Sequence, residues 1–440
     1  MSAVNRLRGA AAAVLAMAIA LPAYAGEDMV WITIERATAH RALAGFGAAG
    51  RPDALSIVDA GRPDALRLGA ADTDIVVARI AERDVADLSA ILHRELRRCG
   101  GFIAHRTREA AEQRAARSND PSARLVPSPP VDYTIDNASV AQALIAPLQE
   151  ANIRDTITSL GAFFTRYHNC PSGLQSANWI RDRWRGYAAH RPRVTVEMFT
   201  LQPVSTTPQP SVILTIPGST LASEVVVLGA HQDSIAGSNC NTSRSPGEDD
   251  DASGVASLSE VIRVALATGY KPKRTVKFIA YAAEEVGLRG SENIAQTFLT
   301  QGVNVVGVLQ LDMTNYKGSS ADIYIYQDFT YSPQNTFVQS LVDAYLPGIT
   351  RGTSQCGYAC SDHASWTERG FHASFPFEAV FGQHDPFIHT SNDTIAQSGG
   401  NANHALKFAK LAAAYVAELA KGKLPQFTPP GSISGLAAIP

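Results

Sequence analysis

The run Glu224-Val-Val-Val-Leu-Gly-Ala230 is apolar without alternation and opens directly onto His231-Gln-Asp233. A short, β-branched run of this kind reads as a strand buried on both faces, as in a parallel sheet covered by helices. Its polar continuation then lies just past the carboxyl end of the strand, where open α/β sheets place their ligands. Three consecutive aspartates, Asp249, Asp250 and Asp251, follow about 19 residues after His231 and lead into a segment of helical period over 255–267. Further strands are expected at 193–197, 211–215, 275–281, 303–311 and 321–326, and helices at 152–167, 174–188, 290–299, 333–345 and 403–421. Strand alternating with helix predicts an α/β fold with a largely parallel sheet covered on both faces.

The chain's 440 residues exceed what one core usually reaches, so a smaller second unit is expected. A net charge of −3 supplies no basic field for nucleic acid. Residues 1–25 carry Arg6 and Arg8, an alanine-rich apolar run and Ala23-Tyr24-Ala25, and read as a signal peptide cleaved after Ala25. No later stretch is apolar enough for a membrane span of ~20 residues, so the mature protein is expected to be secreted and soluble. Residues 26–130 are expected to form a propeptide and linker. Within them lie strands near 30–34, 75–78 and 101–104, a helix over 84–97, a charged run over 106–124 and Val126-Pro-Ser-Pro-Pro130, which suits an exposed proteolytic site. Residues 131–422 would then be the catalytic domain and 423–440 a flexible tail. Of the five cysteines, Cys356 and Cys360 are the best disulfide candidates in an oxidising compartment. Cys170 with Cys240 stays open, and Cys99 would leave with any removed N-terminal segment.

Several strand-like runs end in a group a metal would take: His231 after 225–228, Glu284 and Glu285 after 277–281, Asp312 after 305–311, and His389 in Pro386-Phe-Ile-His-Thr390. Imidazoles with carboxylates and no thiolate in the motif are the ligand set of zinc or a similar divalent ion in a hydrolytic site. Two such ions about 3.5–4 Å apart need a ligand that touches both, and the central aspartate, Asp250, is the natural bridge. Asp249 and Asp251 are expected to cap the next helix or bond within the loop. Of the adjacent Glu284 and Glu285, one can ligate while the other takes a proton from the attacking water.

The strings Gly-Ala-His-Gln-Asp-Ser, Pro-Gly-Glu-Asp-Asp-Asp-Ala-Ser-Gly, Tyr281-Ala-Ala-Glu-Glu-Val-Gly-Leu-Arg-Gly-Ser291, Leu309-Gln-Leu-Asp-Met-Thr-Asn-Tyr316 and Cys356-Gly-Tyr-Ala-Cys-Ser-Asp-His-Ala-Ser-Trp366, with Ile388-His-Thr390, resemble the secreted bacterial leucyl aminopeptidases of metallopeptidase family M28. The resemblance covers roughly 132–421. It implies an α/β/α sandwich on a mostly parallel eight-stranded mixed sheet and two Zn2+ ions, one held by His231 and Asp312, the other by Glu285 and His389, with Asp250 between them. It makes Glu284 the general base and places Asp233 against the other ring nitrogen of His231. An apolar pocket for a leucine-like first side chain would fall on Met313, Tyr358, Phe375, Phe377, Phe381 and Ile388. His363 and His384 are not expected to ligate. The expected activity is removal of hydrophobic N-terminal residues from peptides, by a monomer. The weaker readings are a glutaminyl cyclase or carboxypeptidase on the same scaffold, or an inactive ectodomain.

Overall fold

The computed structural model describes residues 28–58, 73–120, 129–201 and 207–425. The expected signal peptide, linker residues 121–128 and tail residues 426–440 lie outside the described residues. The first stretch builds a small α/β unit from β1 (Met29–Glu35), α1 (Arg36–Ala48), β2 (Leu55–Val58), β3 (Ile75–Ala81), α2 (Val85–Leu96), β4 (Phe102–His105) and α3 (Arg108–Ser118). Its sheet is antiparallel in the order β2-β3-β1-β4, a split β-α-β arrangement. The helix α3 corrects the reading of 106–124 as exposed linker. Thr107 caps it by accepting from the Ala110 amide at 3.2 Å, and its buried face is carried by Ala111 and Ala115, side chains too small to give an apolar signal.

The main body follows as α4 (Ala138–Ile145), α5 (Glu150–Gly161), α6 (Pro171–Ala188), β5 (Thr195–Phe199), β6 (Ser211–Ile216), β7 (Leu221–His231), α7 (Ala252–Ala267), β8 (Arg274–Tyr281), α8 (Arg289–Thr300), β9 (Asn304–Gln310), β10 (Ile323–Tyr326), α9 (Ser332–Tyr345), β11 (Arg351–Ser354), α10 (His363–Thr367), β12 (Ala373–Ser374), β13 (Pro376–Phe377) and α11 (Ala405–Leu419). The central strands alternate between two apolar layers, as a pleated strand buried on both faces requires. Val212, Leu214, Val226, Leu228, Val276 and Phe278 face the core shared with α4, α5, α6, α7, α9 and α11. Their neighbours Ile213, Val225, Val227, Ile279 and Tyr281 face the opposite layer, with Ile294 and Phe298 of α8 and Trp366 of α10. Helices therefore cover both faces, and the fold is an α/β/α sandwich.

The principal sheet runs β12-β9-β7-β8-β6-β5, with β7, β8, β9 and β12 mutually parallel, β6 antiparallel to β8, and β5 antiparallel to β6. A separate sheet runs β11-β10-β13. The two are joined at Phe375, which parts β12 from β13 and whose carbonyl accepts from the Tyr326 amide at 2.9 Å. Within the main body the described residues thus hold sheets of six and three strands rather than one continuous set of eight. Residues 423–425 are also fixed, since Lys423 and Lys271 exchange backbone hydrogen bonds of 2.9 and 3.0 Å. Among the described residues no helix is long and apolar enough to cross a membrane.

Strand order places β7 between β8 and β9, although the chain visits β7, then β8, then β9. The connection after β7 leads to one side and the next crosses to the other, so a crevice opens at the carboxyl ends of these three strands.

Candidate metal centre

Each of the three strand ends delivers an acid or an imidazole to that crevice. His231 closes β7, Glu284 and Glu285 follow β8 in a tight corner, and Asp312 follows β9. Ala283, Met313 and His389 all adopt left-handed backbone at φ 57°, a sparsely populated region for such side chains that proteins retain where geometry is functionally demanded. Asp250 precedes α7 and is joined to Asp251 by a cis peptide bond. Asp251 carries the scaffolding: its carboxylate accepts from the amides of His231 at 3.0 Å, Gly254 at 2.8 Å and Met313 at 3.2 Å. It therefore caps α7 while tying that helix to the ends of β7 and β9. Gly254 is required there, because a Cβ would meet the Leu311 carbonyl oxygen at 2.3 Å. Asp249 accepts from the Asn315 amide at 2.9 Å, the loop role expected of it.

The five expected ligands gather around Asp250. His231 Nε2 lies 2.9 Å from Asp250 Oδ1 and 3.5 Å from Asp312 Oδ1. On the other side, His389 Nε2 lies 3.3 Å from Asp250 Oδ2 and 2.8 Å from Glu285 Oε2. Ligand atoms of His231, Asp250 and Asp312 all fall within 4.8 Å of one another. Glu285 Oε1 is buried without a hydrogen-bond partner, and Asp250 Oδ2 and His389 Nε2 are buried with only the ion-pair contacts just given. Buried polar atoms left this way are costly, and divalent cations satisfy such imidazole and carboxylate donors, so the residues fit a divalent-metal site.

Electrostatics point the same way. Burial raises the Glu284 carboxyl well above the usual range, the His231 ring works against this, and the neighbouring Glu285 adds to it. Burial, then the Asp250 charge, pushes Glu285 up to about 7. Burial opposes charge on His389, yet Glu285 and Asp250 outweigh it and lift the ring to about 10. This carboxylate-rich crevice calls for positive charge.

Asp233 holds the corner after β8, accepting from the Glu284 amide at 3.0 Å and the Glu285 amide at 3.2 Å. Its Oδ1 lies 3.6 Å from His231 Nδ1, beside the ring as expected but longer than a hydrogen bond. Further positioning groups were not singled out from sequence. Asp393 accepts from the Asp249 amide at 2.8 Å and the Asp250 amide at 3.2 Å, and Ser361 Oγ donates to Asp312 Oδ2 at 2.5 Å. Buried Arg166 donates to the carbonyls of Gln232 at 2.8 Å and Gly247 at 2.7 Å, pinning the loop before the aspartates. None of these lies on a run that ends at the site, so only three-dimensional contact identifies them.

Met313, Tyr358, Phe375, Phe377 and Ile388 form one buried apolar cluster with Tyr324 and Tyr326, and Phe381 packs against it. Tyr324 and Tyr326 enter from β10, whose pattern marks only a strand. His363 stacks on Phe375 with ring centroids 4.5 Å apart, and His384 is buried beside Phe377; neither joins the ligand cluster. Cys356 bonds to Cys360 and Cys170 to Cys240, the second pair having been undecidable from sequence.

The N-terminal unit lies across this crevice. Ser89 Oγ donates to the Glu285 carbonyl at 2.8 Å, the His93 ring packs 4.7 Å from that of His389, and the Arg98 guanidinium stands 4.8 Å over Tyr358. The Ala104 amide donates to the Gly287 carbonyl at 3.0 Å. Gly287, at φ 98°, admits β4 there, since a Cβ would approach the Ala104 nitrogen to 2.6 Å.

Comparison with a protein family, with curated relatives and with solved structures points one way. The description of peptidase family M28 matches residues 211–416. A leucine aminopeptidase of the fungus Arthroderma otae is 36% identical over 312 residues, 67% of this chain and 81% of that protein. The structure of the LapA aminopeptidase of Legionella pneumophila superposes with a TM-score of 0.73 at 27% identity, covering 91% of this chain and all of the other. At 14% identity, the zinc aminopeptidase of Bacillus subtilis shares the fold over 62% of this chain and 95% of its own, with a TM-score of 0.50. The Arthroderma and Trichophyton relatives are fungal, and the bacterial likeness comes from solved structures. The chain belongs to peptidase family M28.

Proposed function

We propose that this M28 metallo-aminopeptidase is a di-zinc enzyme that removes N-terminal residues from peptides and prefers a hydrophobic, leucine-like first side chain. One observation carries the reading: Asp250 turns one carboxylate oxygen toward His231 and the other toward His389, the arrangement a bridging ligand needs. His231 and Asp312 would hold one ion, and Glu285 and His389 the other. Such ions, when bound, polarise the scissile carbonyl and ease loss of a proton from the attacking water. Glu284 is the base that accepts that proton and returns it to the leaving amine. Asp233 fixes the backbone of Glu284 and Glu285 through their amides, which steadies the corner from which both carboxylates are presented. The cluster of Met313, Tyr358, Phe375, Phe377, Phe381 and Ile388 would receive the first side chain, each buried CH₂ contributing ~0.8 kcal/mol.

We take residues 26–130 as a removable propeptide, since its described residues cover the crevice. Export, followed by release outside the cytoplasm, suits two disulfides and the leader-like first 25 residues. Every proposed ligand comes from one chain, which suits a monomer. Hydrolysis of leucine p-nitroanilide against cyclisation of a glutaminyl peptide, both by the processed enzyme, tests the activity. Release of nitroaniline without pyroglutamate formation is expected, and the reverse would overturn it.

A further inference from the structure

Cys99 is the fifth cysteine of a chain whose other four are paired, and so carries the free thiol. It lies in the turn between α2 and β4. Arg97 before it is left-handed at φ 52°, and Gly100 and Gly101 after it have φ of 63° and 93°. Arg98 anchors the turn by donating to Glu35 Oε2 at 2.8 Å and Thr38 Oγ1 at 2.6 Å. This turn projects from the N-terminal unit into the crevice, where the Cys99 sulfur and one ligand atom each of Asp250 and His389 fall within 4.8 Å of one another. In the same place Glu285 Oε1 is buried with no hydrogen-bond partner, and the buried Asp250 Oδ2 and His389 Nε2 meet only in ion-pair contacts.

We propose that Cys99 is a ligand of the metal held by Asp250, Glu285 and His389, and that the N-terminal unit keeps the enzyme latent by this bond. The inference rests on the two-metal reading above. Three protein donors with one position left open make a catalytic metal site, whereas four close it. Sulfur, with Asp250, Glu285 and His389, makes four. On binding, the thiol gives its proton to solvent, a sulfur–metal bond forms, and the position otherwise open to water is filled. Thiolate is also the softest donor in the crevice and the one zinc holds well. Cleavage of the chain beyond Cys99 lets the N-terminal unit leave, the sulfur–metal bond breaks, and the position passes to solvent. The competing account is purely steric: Cys99 also packs against the apolar cluster of Tyr358 and Phe375 and could act there only as a small hydrophobe.

Cobalt separates the two accounts. The full-length chain, stripped with chelator and reloaded with Co2+, is expected to bind two ions and show a near-ultraviolet thiolate-to-cobalt charge-transfer band. That band should vanish on proteolytic removal of the N-terminal unit and be missing from Cys99→Ser. Thiol titration of the wild-type precursor, which needs no variant, should find Cys99 protected with metal and reactive after chelation. Two bound cobalt ions without the band, or thiol reactivity indifferent to metal, overturns the proposal and leaves the two-metal site standing. Failure of both precursor and processed enzyme to bind cobalt overturns the metal reading and the ligand proposal together.

Discussion

Asp250 is 4% exposed and faces an imidazole with each oxygen, while Glu284, 3% exposed, follows a left-handed Ala283. The two acids should fail differently. Asp250→Asn removes half the bridge and should lower occupancy of both metal positions, read by elemental analysis after dialysis; retention of two tightly held ions would contradict the bridging role. Glu284→Gln should keep both ions and lose about 10²–10⁴-fold in kcat with a small change in KM, the range a positioned general base contributes. Undiminished turnover in that variant would remove Glu284 from the chemistry. Residues at this scale were largely legible, because His231, Glu284, Glu285 and Asp312 follow apolar runs that announce themselves. Asp393, Arg166 and Ser361 were not, since each meets the site through contacts between distant loops.

Between elements, the N-terminal unit is fastened by ion pairs as well as by its apolar face. Arg289 Nη1 lies 2.9 Å from Glu82, and Arg114, on α3, donates two hydrogen bonds to Glu368 at 2.8 and 2.5 Å. The Arg114–Glu368 pair is nearly buried, with side chains 7% and 17% exposed. Breaking a buried pair by removing one partner costs about 3–5 kcal/mol. Arg114→Ala should therefore speed loss of the N-terminal unit under limited proteolysis of the precursor, and an unchanged rate would show that this pair does not hold it. The Cys170–Cys240 bond spans 70 residues that include β5, β6 and β7. Its removal in the paired Cys170→Ala, Cys240→Ala variant should cost about 2–5 kcal/mol, measured as a lower denaturation midpoint. A midpoint equal to wild type would mean that the sheet orders this loop unaided. The strands β7, β8 and β9 were readable from unbroken apolar runs, and α7 from its period. The elements α3, β12 and β13 were not: alanines carry the buried face of α3, and the two-residue strands are shorter than any pattern can register.

For the molecule as a whole, the crevice owes its place to chain order, with β7 flanked by strands the chain reaches later on either side. Two apolar layers cover the sheet, and His231, Glu285 and Asp312 stand at or just past its strand ends, while Asp250 comes from the loop before α7 and His389 from a loop near the end of the chain. The α/β/α class followed from alternating strands and helices, whereas the break at Phe375 followed from register, which composition does not encode. Nor does any local pattern tell that residues 85–104 lie over a crevice built from 231–389. The account as a whole depends on two cations sharing Asp250. Anomalous diffraction at the zinc absorption edge from crystals of the metal-loaded enzyme measures this directly. Two peaks flanking Asp250, one beside His231 and Asp312 and the other beside Glu285 and His389, are expected; a single peak, or peaks away from these five side chains, would contradict it.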